Sequence, residues 1–384
     1  MPSDTAVPSI NQPSRGDTQP SSSVLGPSSA TRFAKPEVQA VGAYHLRPHV
    51  TPIRLHMNEN AAGFPDDLKA EVWRRVSQRD WARYPDFYLR EITQRLADHA
   101  GVPYEWVMVG NGSNEILQMT LLTTVGRGDH VVVPLPTFTL YKLQATVMGA
   151  TVHTPLMQPA TDFALPVDEM VGLAREYGAR ASVICTPNNP TGTAYSEAEI
   201  RQVVENVDGL VRVDEAYREF HDQDLVHLTR EYDNVILFRT FSKALAMAGV
   251  RVGYCVARPE LIQEIMKVRL PYALNILSET TTLVALDHPD YFRETIQTAR
   301  RERDRLLAGL AELPGVHPYP SAANFILAHF EVGSPVVFQH LLADGILIRD
   351  VSSYPGLKDH LRISVGLPPE NDAVLASLRQ LLVK

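Results

Sequence analysis

Seven short apolar runs lie between Trp106 and Ala257, at Trp106–Val109, His130–Val133, Thr151–His153, Ser182–Cys185, Leu210–Val213, Val235–Phe238 and Val252–Val256. Helical patterns fall between several of them, among them Asn114–Thr123, Ser196–Val207 and Leu261–Arg269. Continuous apolar runs of this length fit strands covered on both faces, and their alternation with helices predicts an α/β domain with a mostly parallel central sheet. From residue 277 the pattern changes. Two helical stretches, Ser278–Leu286 and Asp290–Leu313, precede strand-like runs at Asn324–Ala328, Ile346–Arg349 and Leu361–Ser364, and a helix at Pro369–Leu382 closes the chain. The expected organisation is a low-complexity tail over 1–36, an arm over 37–60, a large domain over 61–276 and a smaller α+β domain over 277–384.

The tail is expected to be disordered. Half of the first 30 residues are Ser, Thr or Pro, and such a segment buries too little apolar surface to offset its ordering entropy. It also lacks the basic and apolar regions of a secretory signal. A formal charge of -8 argues against a general binder of nucleic acid or anionic membrane, since both need a basic surface. No apolar run reaches the ~18 residues of a spanning helix. The two cysteines, Cys185 and Cys255, sit inside apolar runs and read as small core residues in a reducing, cytoplasmic compartment. No paired Cys/His array suggests a metal.

In open α/β sheets, ligands bind beyond the carboxyl ends of the strands. After Trp106–Val109 comes Gly110-Asn-Gly-Ser-Asn-Glu115, where glycines open a helix. Free N–H groups there suit a phosphate, although a plain turn with an N-cap uses the same residues. After His130–Val133 comes Pro134-Leu-Pro-Thr-Phe138; Phe138 is either a ring that stacks on a flat cofactor or a core side chain. After Ser182–Cys185 two prolines fix a loop that offers Asn188 and Asn189 as amides. After Leu210–Val213 comes Asp214-Glu-Ala-Tyr217. Asp214 either caps the next helix or holds a pyridine nitrogen cationic, with Tyr217 near a ring oxygen. After the strand Asn234–Thr240 come Ser242, Lys243 and, eight residues past the lysine, Arg251. A lysine in a dry pocket forms Schiff bases with aldehydes, and an arginine fork grips phosphate. Each feature has a bland alternative, but together on one edge of one sheet they point to pyridoxal phosphate (PLP).

The motifs carry a family resemblance. Asn58-Glu-Asn60, Arg83-Tyr-Pro-Asp86, Gly110-Asn-Gly-Ser-Asn-Glu115, Pro187-Asn-Asn-Pro-Thr-Gly192, Asp214-Glu-Ala-Tyr217, Thr240-Phe-Ser-Lys-Ala244 with Arg251, Ser321-Ala-Ala-Asn-Phe325, Arg349 and Leu361-Arg-Ile-Ser364 resemble those of the fold-type I PLP aminotransferases, and within them the histidinol-phosphate aminotransferase family. The resemblance runs from about residue 40 to the C-terminus. It implies an aspartate-aminotransferase-like fold and a role for each matched residue. Lys243 would hold PLP as a Schiff base and carry the catalytic proton. Asp214 would pair with the pyridine nitrogen, Asn189 and Tyr217 would bond the ring hydroxyl oxygen, and Phe138 would stack on the ring. Gly112, Ser113, Ser242 and Arg251 would bind the cofactor phosphate. Tyr84 would reach into a neighbouring subunit's site, making the protein a homodimer. Tyr44, Asn189, Arg349 and Arg362 would meet the substrate. Ala61, Asn114 and Phe138 depart from residues common in the family (proline, aspartate and tyrosine), and none removes a group the chemistry requires.

The resemblance implies transamination of L-histidinol phosphate with 2-oxoglutarate, giving imidazole-acetol phosphate and glutamate in histidine biosynthesis. Three alternatives stand beside it. They are an aminotransferase for aromatic or other amino acids, a phospho-amino-acid decarboxylase, and a non-catalytic PLP-fold regulator. The last is disfavoured by the presence of Lys243, Asp214 and Arg251 and by the lack of an appended DNA-binding segment.

Overall fold

A computed structural model describes residues 30–42 and 49–383. The expected tail lies outside them up to residue 29, and Tyr44 lies outside them as well. Residues 30–42 belong to a unit of their own. A 3-10 turn at Thr31–Phe33 leads into the short helix Pro36–Gln39, and Gln39 Nε2 donates back to the Thr31 and Ala34 carbonyls.

In the second unit the strands, in chain order, are β1 (Ile53–Leu55), β2 (Val107–Gly110), β3 (His130–Val132), β4 (Thr151–His153), β5 (Ala181–Cys185), β6 (Leu210–Asp214), β7 (Val235–Thr240), β8 (Gly253–Val256), β9 (Val316–Pro318), β10 (Phe325–Phe330), β11 (Ile346–Asp350) and β12 (His360–Ser364). Seven form one sheet in the order β2-β8-β7-β6-β5-β3-β4. Only β8 runs antiparallel to its neighbours. The apolar runs become strands because both faces are covered. Val211, Val213, Val235 and Leu237 pack with Ile200, Val203 and Val204 of the helix Glu197–Asn206. Val183, Cys185, Ile236 and Phe238 pack on the other face with Leu117 of the helix Ser113–Thr124 and Tyr141 of the helix Leu140–Val147. The period-2 alternation therefore assigns Asp214 to the second face, in register with Cys185 and Phe238.

The remaining strands form a second sheet, β1-β11-β12-β10-β9. Its edge strands, β1 and β9, were not foreseen in the sequence. β1 pairs parallel with β11, so the segment leading to Asn58 is tied to this sheet. The helix Ile276–Asp287, expected to open the C-terminal part, instead buries Leu283, Val284 and Ala285 with Leu68, Val72 and Val76 of the helix Asp66–Ser77. The helix Pro289–Ala311 joins both cores, with Phe292 in one and Leu306 and Leu310 in the other. At 1.5 Å per residue its 23 residues span about 34 Å. Among the described residues, no helix is long and apolar enough to cross a membrane.

Candidate active site

The carboxyl ends of β5, β6 and β7 open on the same edge of the large sheet. β8 runs the other way, so its first residue, Gly253, pairs with the last of β2, Gly110. A side chain at Gly253 would place its Cβ 2.3 Å from the Ser113 nitrogen, and glycine lets the helix Ser113–Thr124 start against the sheet. Gly112, at φ +79°, is the residue before that helix. A Cβ on it would come within 2.3 Å of Arg251 Nη2. Arg251 itself has φ +61°. Its Nη1 donates to Ser242 Oγ at 3.3 Å and to the Ala248 carbonyl at 3.1 Å. Thr240 Oγ1 donates to Ser242 Oγ at 3.0 Å. Gly112, Ser113, Ser242 and Arg251 thus converge into a cradle of N–H, hydroxyl and guanidinium groups at a helix start, a donor set whose chemistry suits an anion.

Asp214 lies deeper and is 3% exposed. Tyr141 donates to its Oδ2 at 2.7 Å and the Ala216 nitrogen to its Oδ1 at 3.0 Å. Burial pushes its carboxyl up to about 6, while these two bonds and the cation of Arg212 keep it from rising further. Tyr217 follows on the turn after β6. Asn58 Nδ2 donates to its hydroxyl at 3.0 Å, and burial pushes the phenol up. Asn58 has φ +54° and is held in turn by Ser364, whose Oγ donates to Asn58 Oδ1 at 2.9 Å. Phe138 is half-buried and meets Tyr141 edge-on at 5.5 Å.

Lys243 is half-buried. Its Nζ donates to the Met57 carbonyl at 2.9 Å and lies 6.0 Å from the Tyr217 ring centroid. Burial, helped by the nearby cations Arg362 and Arg251 and opposed by Glu59, lowers its ammonium to about 8. At pH 7 about a tenth of such an amine is unprotonated and available as a base, against well under a thousandth of a free lysine's. From the second sheet, Arg362 donates through Nη1 to Asn189 Oδ1 and through Nη2 to the His56 carbonyl at 2.8 Å. Its guanidinium sits over the Phe325 ring at 5.2 Å. Arg349 faces Arg362 directly across β11 and β12. The two asparagines of the β5 loop divide their work: Asn189 faces Arg362, whereas Asn188 accepts from Thr137 Oγ1 at 2.6 Å and donates to the Pro136 carbonyl at 3.0 Å, fastening one loop to the next. Tyr84 stands apart in this chain. It is 78% exposed and stacks on Tyr272 at 4.2 Å.

The family model for aminotransferase class I and II matches residues 50–378. A histidinol-phosphate aminotransferase of Chlorobium phaeovibrioides is 37% identical over 349 residues, 90% of this chain and 96% of the relative. One from Chlorobaculum tepidum is 38% identical over 331 residues, 86% and 94% of the two chains. The chain belongs to the histidinol-phosphate aminotransferase family, within the class I and II aminotransferases. A crystal structure from that family, from Sinorhizobium meliloti in complex with pyridoxal-5'-phosphate, superposes with a TM-score of 0.82 at 23% identity, covering 92% of this chain and 99% of that one. It shares the fold.

As a PLP-dependent aminotransferase, the protein has further site residues that the strand-end reading passed over. Asn58 lies in a quoted motif but had no role until its bond to Tyr217 appeared. Tyr141 acts one contact away from Asp214, and Ser364 acts on Tyr217 through Asn58; sequence gives no sign of such pairings. His56 is half-buried beside Arg362, and burial lowers its imidazole. Arg212 did leave a signal: it is the one charge inside the run Leu210–Val213.

Proposed function

We propose that this enzyme transfers the amino group of L-histidinol phosphate to 2-oxoglutarate, yielding imidazole-acetol phosphate and glutamate, with PLP held at the site described above. The observation that carries the reading is the placement of Lys243 Nζ beside the Tyr217 ring, with the Gly112–Arg251 cradle and the Asp214 carboxylate in the same site. The donor set fits the cofactor. Gly112 gives Arg251 room that any Cβ would fill, which suits a phosphate. The buried carboxylate of Asp214 calls for a cation, which suits a protonated ring nitrogen. Bound there, PLP supplies an aldehyde for the donor's amine and an electron-withdrawing ring that acidifies the carbon bearing that amine.

The residues of the chain divide the remaining work. Gly112, Ser113, Ser242 and Arg251 anchor the phosphate, and Phe138 covers a ring face. Asp214 keeps a proton on the ring nitrogen, while Asn189 and Tyr217 bond the ring oxygen. Lys243 Nζ would take the proton from the donor carbon in one half-reaction and, in the other, deliver a proton to the acceptor carbon that gains the amino group. Arg362 and Arg349 meet the anionic groups of the two substrates, a phosphate monoester in one half-reaction and carboxylates in the other. Names of the relatives at 37% and 38% identity support the substrate choice. Steady-state rates with histidinol phosphate, phenylalanine and threonine phosphate test it. A kcat/KM for histidinol phosphate no higher than that for phenylalanine rejects it.

The working form is a homodimer in the cytoplasm. Trp73, Trp81, Tyr84, Phe87 and Tyr88 are all exposed, and an apolar set of that kind suits a second copy of the chain. Tyr84 then completes the partner's cofactor site. Mixing Tyr84→Phe with Lys243→Ala protein should recover activity above either parent, and no recovery counts against the shared site.

A further inference from the structure

β6 carries a second charged residue on the face that bears Asp214. Arg212, two positions earlier, is 1% exposed. Its cross-strand partners are Val183 and Ile236, both in the apolar cluster of that face. Its Nη2 donates to the Leu117 carbonyl at 2.7 Å, and its guanidinium carbon lies 5.4 Å from the centre of the Phe238 ring. Nε and Nη1 are buried without a hydrogen-bond partner. Among the described residues, no carboxylate lies within ion-pair distance of it. A guanidinium so placed costs several kcal/mol relative to an apolar side chain. Elsewhere the fold avoids that cost: Arg239, equally buried, holds Glu215 at 2.8 Å and Asp224 at 2.6 Å.

We propose that Arg212 is a positioning residue for the cofactor site: from beneath the sheet edge it keeps the carboxylate of Asp214 charged, and through Leu117 it joins the strand bearing that carboxylate to the helix that receives the phosphate. The proposal rests on the PLP reading above. The spacing supports it, since residues i and i+2 on a strand share a face at roughly 7 Å, and charges that close interact strongly where water is excluded. Leu117 lies on the helix that starts at Ser113, so one side chain ties the strand that ends at Asp214 to the helix whose start forms part of the cradle. Burial lowers Arg212 to about 10, which leaves it cationic at neutral pH. The other polar groups around Asp214 are not cations. Tyr141 comes from the helix Leu140–Val147 and Cys185 from β5, both held neutral by burial. Glu215 follows on the same strand end and opposes ionisation. Tyr217 lies just beyond, its phenol also raised by burial.

The test is the PLP affinity of the full-length apoprotein, followed by fluorescence from pH 5 to 8.5. Wild type should lose affinity below about pH 6, where Asp214 takes a proton. Arg212→Met should move that midpoint up by about one unit, making binding about fivefold weaker at pH 6 and nearly tenfold weaker at pH 5. At pH 8.5 it should stay within about twofold of wild type, and Arg212→Lys should keep the wild-type midpoint. An unmoved midpoint in Arg212→Met, an equal loss at both pH values, or a lysine variant that behaves like methionine overturns the proposal. If Arg212→Met does not fold at neutral pH, Arg212→Met/Asp214→Asn should fold, because the uncompensated carboxylate is gone. A double variant that also fails to fold overturns the proposal. Wild-type protein that binds no PLP at any pH would sink the cofactor reading instead, leaving the charge relation between the two residues untested by ligand but still readable in the folding of the double variant.

Discussion

The two ends of the proposed cofactor site are built on different physics. At the phosphate end the constraint is steric. Gly112 and Arg251 both adopt positive φ, and a single added carbon would collide with the guanidinium. At the ring end the constraint is electrostatic. Asp214 and Lys243 sit where burial works against their charges, and both titrate far from their ordinary ranges. One end is shaped to admit an anion, and the other keeps an unfavourable charge until a cation arrives. Substitutions at the two ends should therefore differ in pH dependence as well as in size.

The largest effect belongs to the ring end. Lys243→Ala should lower kcat by ~10³-fold or more, since the group that moves the proton is lost. The protein should still bind PLP through its phosphate, but borohydride should no longer fix it to the chain. Turnover retained in that variant refutes the role of Lys243. Asp214→Asn should come next, with about 10²-fold weaker PLP binding at pH 8 from the lost charge pair. The same change should stabilise the apoprotein. With the carboxyl at 3.8 unfolded and about 6 folded, the folded state holds the extra proton between those values, so stability falls as pH rises through that window. Above it the cost is about 2–3 kcal/mol, which asparagine removes together with the slope. Thermal melts of both apoproteins from pH 4 to 8 check the sign: parallel curves would show that Asp214 does not titrate in that range.

Sequence revealed these two ends unequally. The groups that close a strand or open a helix were legible, because a strand end is marked by where the apolar run stops and the first polar residue after it points into the crevice. Asp214, Ser242, Lys243 and Gly112 are of that kind, and the run Val235–Phe238 located β7 within two residues of its end. Residues whose placement depends on a partner far along the chain were not legible. Asn58 meets Tyr217 across 159 positions and Ser364 across 306, and neither distance leaves a periodic trace. The edge strand Ile53–Leu55 was missed for the same reason, since it pairs with β11, nearly 300 residues away. Arg212 was visible but was absorbed into an apolar run, although a lone cation in a buried strand is the kind of exception that marks a site.

At the phosphate end, Gly112→Ala should weaken PLP binding by about tenfold to thirtyfold. Two costs combine: a left-handed backbone that alanine tolerates poorly, at ~1 kcal/mol, and displacement of Arg251 from its bond to Ser242. The loss should be the same at pH 6 and pH 8.5, in contrast with Arg212→Met and Tyr141→Phe beside Asp214. A pH-dependent loss would mean that the two ends are coupled, and the division between steric and electrostatic constraint would fail.

The smallest effect is the sharpest probe of that division. Tyr141→Phe removes one hydrogen bond to Asp214 Oδ2 and leaves the ring that Phe138 packs against. A hydrogen bond to a charged group contributes about 1.5–3 kcal/mol, but here the carboxylate keeps the Ala216 N–H and the Arg212 cation, so about one pKa unit of upward shift is expected. PLP binding should then weaken about fivefold near pH 6 and hardly at all at pH 8.5. Fluorescence titrations at the two pH values decide the point: an equal loss at both would make Tyr141 a packing residue and would remove the hydrogen bond from the account of how Asp214 stays charged.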